Sequence, residues 1–252
     1  MYSDRPEKIV TTIEARMTSS RLPGKVLLPI ADMPALELLI RRLKKSEYLD
    51  GICVATTTNA ADDPLIVLAE KLGVASFRGS ESDVLGRVLD AARSQSADII
   101  VEITGDCPFV DPRLIDRGIE EFFSHDVDYA SNTIPATFPN GFDVQVFPTA
   151  ILADVASRTD DPVDRTHVTY YMYMHQDQYR CFNWEAGADA RAPEMRMTLD
   201  ERSDYDAILR VGEYFKPQIL DVSASEIVGY LRSHPEITAI NEDVKQKEAY
   251  EL

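Results

Sequence analysis

The chain has 252 residues, 44% of them apolar and 27% charged, which suits a globular protein with a sizeable core and excludes a disordered one. Its 43 Asp+Glu against 26 Lys+Arg give a formal net charge of -17, a surface that repels phosphate backbones, so no nucleic acid and no anionic membrane is expected as a partner. The charge is uneven: residues 1–50 carry nine basic and seven acidic side chains, a local +2, which leaves -19 for the remainder.

Residues 1–8 lack the apolar stretch of a secretory signal, and no apolar run approaches the length of a membrane span. Cys53, Cys107 and Cys181 are an odd number with no close pair, which argues against a disulfide framework or a cysteine zinc site. A cytoplasmic protein is expected. The β-branched run over 8–13 reads as a buried strand, and 34–48, with Leu36, Leu39, Ile40 and Leu43 at helical spacing, as an amphipathic helix. Then come a strand over 51–56, a helix from about 62 to 72, a short strand over 75–78, a helix over 83–92 and a strong strand over 98–104. Pro112 opens a further helix at the favoured first-turn position. This rhythm predicts a mainly parallel sheet with helices on both faces. After Val127 the pattern is less regular, with an alternating, strand-like stretch over 195–199 and a late helix capped at Ser203. The whole reads as one domain: a nucleotide-binding half (8–126), an acceptor-binding and possible dimerisation half (127–235) and a charged tail (236–252). The run from Tyr170 to Met174 reads as a core or dimer-facing helix face.

In such sheets ligands gather beyond the carboxyl ends of the strands. The loop after the first strand puts Arg16, Arg21 and Lys25 within ten residues, interleaved with small hydroxyl side chains and Gly24, a composition suited to cradling a polyphosphate. It is no P-loop, because Ser19 and Val26 stand where that motif needs Gly and Ser or Thr. It is no dinucleotide fingerprint either, since Gly-x-Gly occurs nowhere in the chain. Asp106 ends the strongest strand, directly after Gly105, and Asp200 follows the alternating stretch. Two carboxylates at strand ends suit Mg²⁺, which takes one or two of them together with phosphates and waters. Glu201 and Asp204 are rivals to Asp200. Asp83 and Arg87, four apart on a helix, fit a plain ion pair as well as a ligand site.

The segment Ile13-Glu-Ala-Arg-Met-Thr-Ser-Ser-Arg-Leu-Pro-Gly-Lys-Val-Leu27 closely resembles the opening motif of the cytidylyltransferases that make CMP-activated acidic sugars, in particular the branch named for spore-coat polysaccharide biosynthesis. Further matches follow in order over 55–59, 77–87, 103–108, 128–132, 139–147 and 167–169, so the resemblance spans roughly 8–215. It implies a Rossmann-like, glycosyltransferase-A-like nucleotidyltransferase fold, CTP as donor, Mg²⁺ held by Asp106 and Asp200, pyrophosphate as leaving group, and a homodimer. The acceptor it implies is an acidic sugar or a phosphorylated small molecule. Arg16, Arg21, Lys25 and Asp106 take the catalytic roles. The nucleotide falls to Ala15, Arg16, Ser20, Arg21, Lys25, Ala55, Thr56, Thr57, Asp83, Arg87, Thr104 and Gly105, and the acceptor to Asn132, Gly141, Asp143, Gln145, Arg165 and His167. The chain departs from the family pattern at Glu14 (usually Gln), Thr18 (Gly or Ala), Gln145 (Glu) and Thr166 (Glu). A glycosyltransferase or other nucleotidyltransferase of the same fold, or a non-catalytic nucleotide-binding module, is the competing reading. The one Asp-x-Asp triplet, Asp204 to Asp206, falls in the late helix, which is the wrong place for a glycosyltransferase metal motif.

Overall fold

The structure is a computed structural model and describes residues 7–246. Strand β1 (Ile9–Glu14) leads into a long loop that ends in a 3-10 turn (Lys25–Leu27) and a small hairpin, β2 (Pro29–Ile30) and β3 (Met33–Pro34). Helix α1 (Ala35–Leu43), β4 (Gly51–Thr57), α2 (Asp63–Leu72), β5 (Ala75–Gly79), α3 (Val84–Ser94), β6 (Ile99–Thr104) and α4 (Pro112–Ser124) complete the first half. The second half contains β7 (Tyr129–Ser131), β8 (Gln145–Pro148), α5 (Thr149–Arg158), α6 (Pro162–Thr166), α7 (Tyr170–Met174), β9 (Cys181–Asn183), α8 (Arg202–Phe215), α9 (Ala224–Ser233) and α10 (Pro235–Thr238).

Seven strands form one sheet in the order β5-β4-β1-β6-β8-β7-β9. The first four are mutually parallel, and β8 runs antiparallel to both β6 and β7. The period-2 alternation of β1 explains why both faces are covered. Ile9 and Ile13 enter a core with Leu36, Leu39 and Ile40 of α1 and Ile115 of α4, whereas Val10 points the other way, to Leu85 and Val88 of α3 and Leu152 of α5. Strand order reverses at β1, with β4 on one side and β6 on the other. The carboxyl ends of β1 and β6 therefore open a crevice at mid-sheet.

Three expectations are corrected. Residues 195–199 form no strand: their pairing is a single isolated bridge, Asn140 to Arg196, and the segment is held instead by backbone hydrogen bonds to Asn140 and Asp106. Helix α8 is capped by a reciprocal box between Glu201 and Asp204 rather than by Ser203. Helix α1 ends at Leu43, because the polar run after it offers no apolar face to bury. Of the charged tail, the described part (236–246) packs on the body: Asn241 is buried and donates to the Arg196 carbonyl.

Candidate active site

The loop after β1 is shaped by its own backbone and by a buried carboxylate. Gly24, at φ +72°, donates its N–H to the Met17 carbonyl (2.9 Å) and turns the chain so that Lys25 begins the 3-10 turn. Asp62, fully buried, accepts from the Met17 and Thr57 amides (2.7 and 3.1 Å), tying this loop to the end of β4. A Cβ on Gly105 would lie 2.8 Å from the Glu14 carbonyl oxygen and 2.9 Å from the Ala15 Cβ. Glycine is required there by the close approach of two loops, and not only to admit a ligand.

Lys25 Nζ stands between two carboxylates, 2.6 Å from Asp106 Oδ2 and 2.7 Å from Asp200 Oδ1. Asp200 arrives there without a strand, because the Leu199 amide donates to the Asp106 carbonyl at 2.8 Å. Its other oxygen meets Arg21 Nη2 (3.0 Å) and Arg196 Nη2 (2.8 Å), and Arg196 Nε in turn holds Asp204 (2.9 Å). Burial alone would raise the Asp106 carboxyl; the Lys25 ammonium outweighs it and holds the group at about 2. Lys25 itself is opposed by burial and driven above its ordinary value by Asp106 and Asp200.

These groups line a cleft of about 380 Å³. It brings together Ala15, Arg16, Ser20, Arg21, Lys25, Arg87, Thr104, Gly105, Asp106 and Asp200, residues expected to hold the nucleotide and the metal. Other expected nucleotide residues lie elsewhere. Ala55, Thr56 and Thr57 are buried in β4, with the Thr57 hydroxyl donating to Asp62. Asp83 caps α3 through the Gly86 amide (2.9 Å) and faces Arg165 at 3.5 Å, so the ion pair with Arg87 does not form. Arg87 donates instead to the Ser80 carbonyl.

A second cleft, about 740 Å³, meets the first at Glu14, Thr104, Thr166 and His167. Of the expected acceptor residues, Asp143, Gln145 and His167 line it. Asn132 instead braces the backbone, bonding the Phe142 carbonyl and the Val144 amide. Gly141, at φ +106°, packs against the backbone of Met197 and Thr198. Arg165 is turned to the carbonyls of Ala156 and Thr159. His167 Nε2 is buried without a partner among the described residues.

Glu102 is absent from the residues expected at the site, although an acid in the middle of the apolar run 99–103 is a signal in the sequence. Gln145 donates to Glu102, and the Gln145 carbonyl accepts from Tyr129 (2.6 Å) and Thr169 (2.5 Å), which fixes the amide's orientation. Burial, then the hydrogen-bonded Glu14, push the Glu102 carboxyl well above the usual range. Asp143 is raised to about 6, by burial and then by Asp106. Of the run 170–174, expected as a core or dimer-facing face, Met172 is buried in the core with Tyr171 and Tyr173 packed against that core, and Tyr170, Tyr173 and Met174 also line this cleft.

A cytidylyltransferase family model matches residues 10–227. The spore coat polysaccharide biosynthesis protein SpsF of Bacillus subtilis is 37% identical over 238 residues, covering 90% of this chain and 95% of that one. An uncharacterized protein of Methanocaldococcus jannaschii is 36% identical over 97% of this chain and 99% of its own. Among solved structures, a cytidylyltransferase from Leptospira borgpetersenii superposes with a TM-score of 0.88 at 30% identity, over 96% of this chain and all of that one.

Proposed function

The chain belongs to the cytidylyltransferase family, and from that premise we propose that it transfers CMP from CTP to a hydroxyl of a sugar acceptor, with release of pyrophosphate, in surface polysaccharide synthesis. The observation that carries this reading is the convergence of Asp106 and Asp200 on one cation, within 2.7 Å, in a cleft that also holds Arg16 and Arg21.

A divalent metal fits this donor set. Two carboxylates already surround a positive charge, and hard-oxygen coordination by Mg²⁺ is completed by phosphates and waters rather than by a protein cage. Among the described residues no group of three or more His, Cys, Asp or Glu forms such a cage. Asp106 and Asp200 would hold the ion, and when bound it supplies neutralisation of the triphosphate's charge. Arg16, Arg21 and Lys25 bind the phosphates and stabilise the charge that grows on the departing pyrophosphate. The acceptor oxygen forms its bond to the α-phosphorus as the bond to the β-phosphate's bridging oxygen breaks, and the hydroxyl proton is released.

The second cleft orients the acceptor. Glu14, Glu102 and Asp143 line it, and among the described residues no Lys or Arg does. The acceptor's hydroxyls are therefore matched to these acids, and an acid group of the sugar, as in the family's acidic acceptors, is turned toward His167 and the cations of the first cleft.

Incubating the protein with each NTP, Mg²⁺ and a panel of acidic and neutral sugars while following pyrophosphate tests the reading. Release is expected with CTP and an acceptor only. Asp106→Asn should keep the fold and lower turnover by roughly 100-fold, the scale of one lost electrostatic contact in a transition state; near-normal activity would overturn the assignment.

A further inference from the structure

Part of the second cleft's wall comes from the far end of the chain. After α10 the buried Asn241 clasps the chain to the body of the protein, and five residues later Gln246 lines the cleft together with Asn140 and Pro193. The family model ends at residue 227, so this residue lies beyond the part of the chain that the family pattern describes. Its side chain is exposed, yet it is held in one orientation. Oε1 accepts from Arg196 Nη1 at 2.6 Å and from Asn140 Nδ2 at 2.8 Å. A guanidinium has only donors, so the atom that faces it is the amide oxygen. The Nε2–H2 end is thereby fixed as well, and it has no partner among the described residues.

The cleft around it is rich in hydrogen-bond acceptors and short of donors. Glu14, Glu102 and Asp143 line it, and several of its amide and hydroxyl hydrogens are spent inside the wall. Gln145 gives to Glu102, Thr169 to Gln145, Thr133 to Ser131 and Asn140 to Gln246. A sugar hydroxyl both gives and accepts, so the acids satisfy its hydrogen and leave its lone pairs in need of a donor. Gln246 offers two N–H groups already ordered by the bonds on its oxygen, so little side-chain freedom is lost when they are used. We propose that Gln246 is an acceptor-binding residue, its Nε2–H2 donating to a hydroxyl or carbonyl oxygen of the sugar in the part of the second cleft that the nucleotide cleft does not share. This rests on the reading of the second cleft as the acceptor site and adds to it a residue from the chain's end.

Two variants separate a binding role from a brace for Arg196. Gln246→Glu keeps an oxygen for Arg196 and Asn140 and removes the donor, whereas Gln246→Ala removes both. In either variant Arg196 still holds Asp200 and Asp204 through Nη2 and Nε. With the sugar of the acidic and neutral panel that gives the fastest pyrophosphate release, both variants should raise the acceptor KM by about 3- to 10-fold, the scale of one hydrogen bond, and leave the CTP KM and the metal requirement within about 2-fold of the wild type. A normal acceptor KM in Gln246→Glu would overturn the inference, because that variant retains the brace alone. So would a metal requirement that rises in Gln246→Ala in step with the acceptor KM, which would place the effect on Arg196 and Asp200. A spectroscopic measurement on the wild type needs no turnover. The Nε2–H2 resonances of isotope-labelled protein, assigned by their loss in Gln246→Ala, should shift when the same sugar is added to the CMP-bound protein and stay in place with CMP alone. Resonances that ignore a sugar the enzyme turns over would overturn the inference whatever the variants do. Should CTP bind while no sugar supports pyrophosphate release, the acceptor reading of the second cleft would fall and take this inference with it, a result distinct from turnover that is indifferent to Gln246.

Discussion

At the scale of single residues, the site is organised around charges that hold each other in place. Lys25 satisfies both candidate metal carboxylates, so a divalent ion must compete with an ammonium already at 2.6 and 2.7 Å. Lys25→Met should therefore raise Mn²⁺ affinity in the absence of nucleotide by about 10-fold, the scale of one charge-assisted hydrogen bond, while turnover with CTP falls because the phosphates lose a cation. Calorimetry with Mn²⁺ alone reads the first effect; unchanged affinity would show that the lysine does not guard the carboxylates. Glu102 carries the opposite burden. Its folded-state carboxyl is raised above the ordinary 4.5, by burial first and then by Glu14, with Asp143 adding and Gln145 opposing. The folded protein thus keeps a proton that the unfolded chain releases. The associated stability is fully present below about 4.5 and is lost as pH rises toward the raised value. Glu102→Gln retains the shape and the bond from Gln145 but removes this titration. Its melting temperature should exceed that of the wild type at pH 8 and match it near pH 4.5; an equal difference at both pH values would sink the argument.

At the scale of elements, the parallel half was legible because β1, β4 and β6 are β-branched runs and the helices between them carry 3.6-period stripes, with a start signal such as Asp111-Pro112 for α4. Residues 195–199 were not legible. Their alternation comes from Met197 and Leu199 entering the core from an irregular segment whose hydrogen bonds go to Asn140 and Asp106 rather than to a neighbouring strand. The same limit applied to the second cleft. Asn132, Gly141 and Arg165 are polar or glycine residues in a candidate loop, yet tertiary contacts spend them on backbone support. The tie between helices and loops shows what local pattern cannot reveal. Arg42, on the apolar side of α1, is wholly buried and donates to the carbonyls of Phe109, Val110, Ile219 and Val222, stitching the loop after β6 to the segment before α9. Burial lowers its guanidinium to about 10, and four carbonyls depend on it. Arg42→Met should cost about 3 kcal/mol or more, since it strands buried acceptors together, and urea unfolding would measure it. A loss below about 1 kcal/mol would mean that water replaces the guanidinium.

Across the whole molecule, the acidic surface and the cationic cleft set a division of labour. A net charge of -17 disfavours anions in general, and the first cleft gathers Arg16, Arg21, Lys25 and Arg87 to admit one kind of anion at one place. Holding that cleft together requires the far end of the chain. Asn241, 4% exposed, donates to the Arg196 carbonyl (3.1 Å) and to Asp204 Oδ1 (2.9 Å). Asp204 Oδ2 receives the Asp200 and Glu201 amides, and Arg196 spans Asp200 and Asp204. A single buried network thus runs from residue 241 to the carboxylate at 200, and from there to Lys25 in the first loop. Asn241→Ala removes the amide and leaves one oxygen of a buried carboxylate with a donor fewer. The expected cost is about 1–2 kcal/mol of stability, the usual penalty for a broken buried hydrogen bond. Because the loosened partner is the frame of Asp200, the metal concentration for half-maximal CTP turnover should also rise, whereas CMP affinity in the metal-free protein should stay near the wild-type value. Measuring both separates a positioning role from general loosening. If CMP binding weakened in step with the metal requirement, Asn241 would be supporting the cleft as a whole, and the coupling of the chain's end to Asp200 would be wrong.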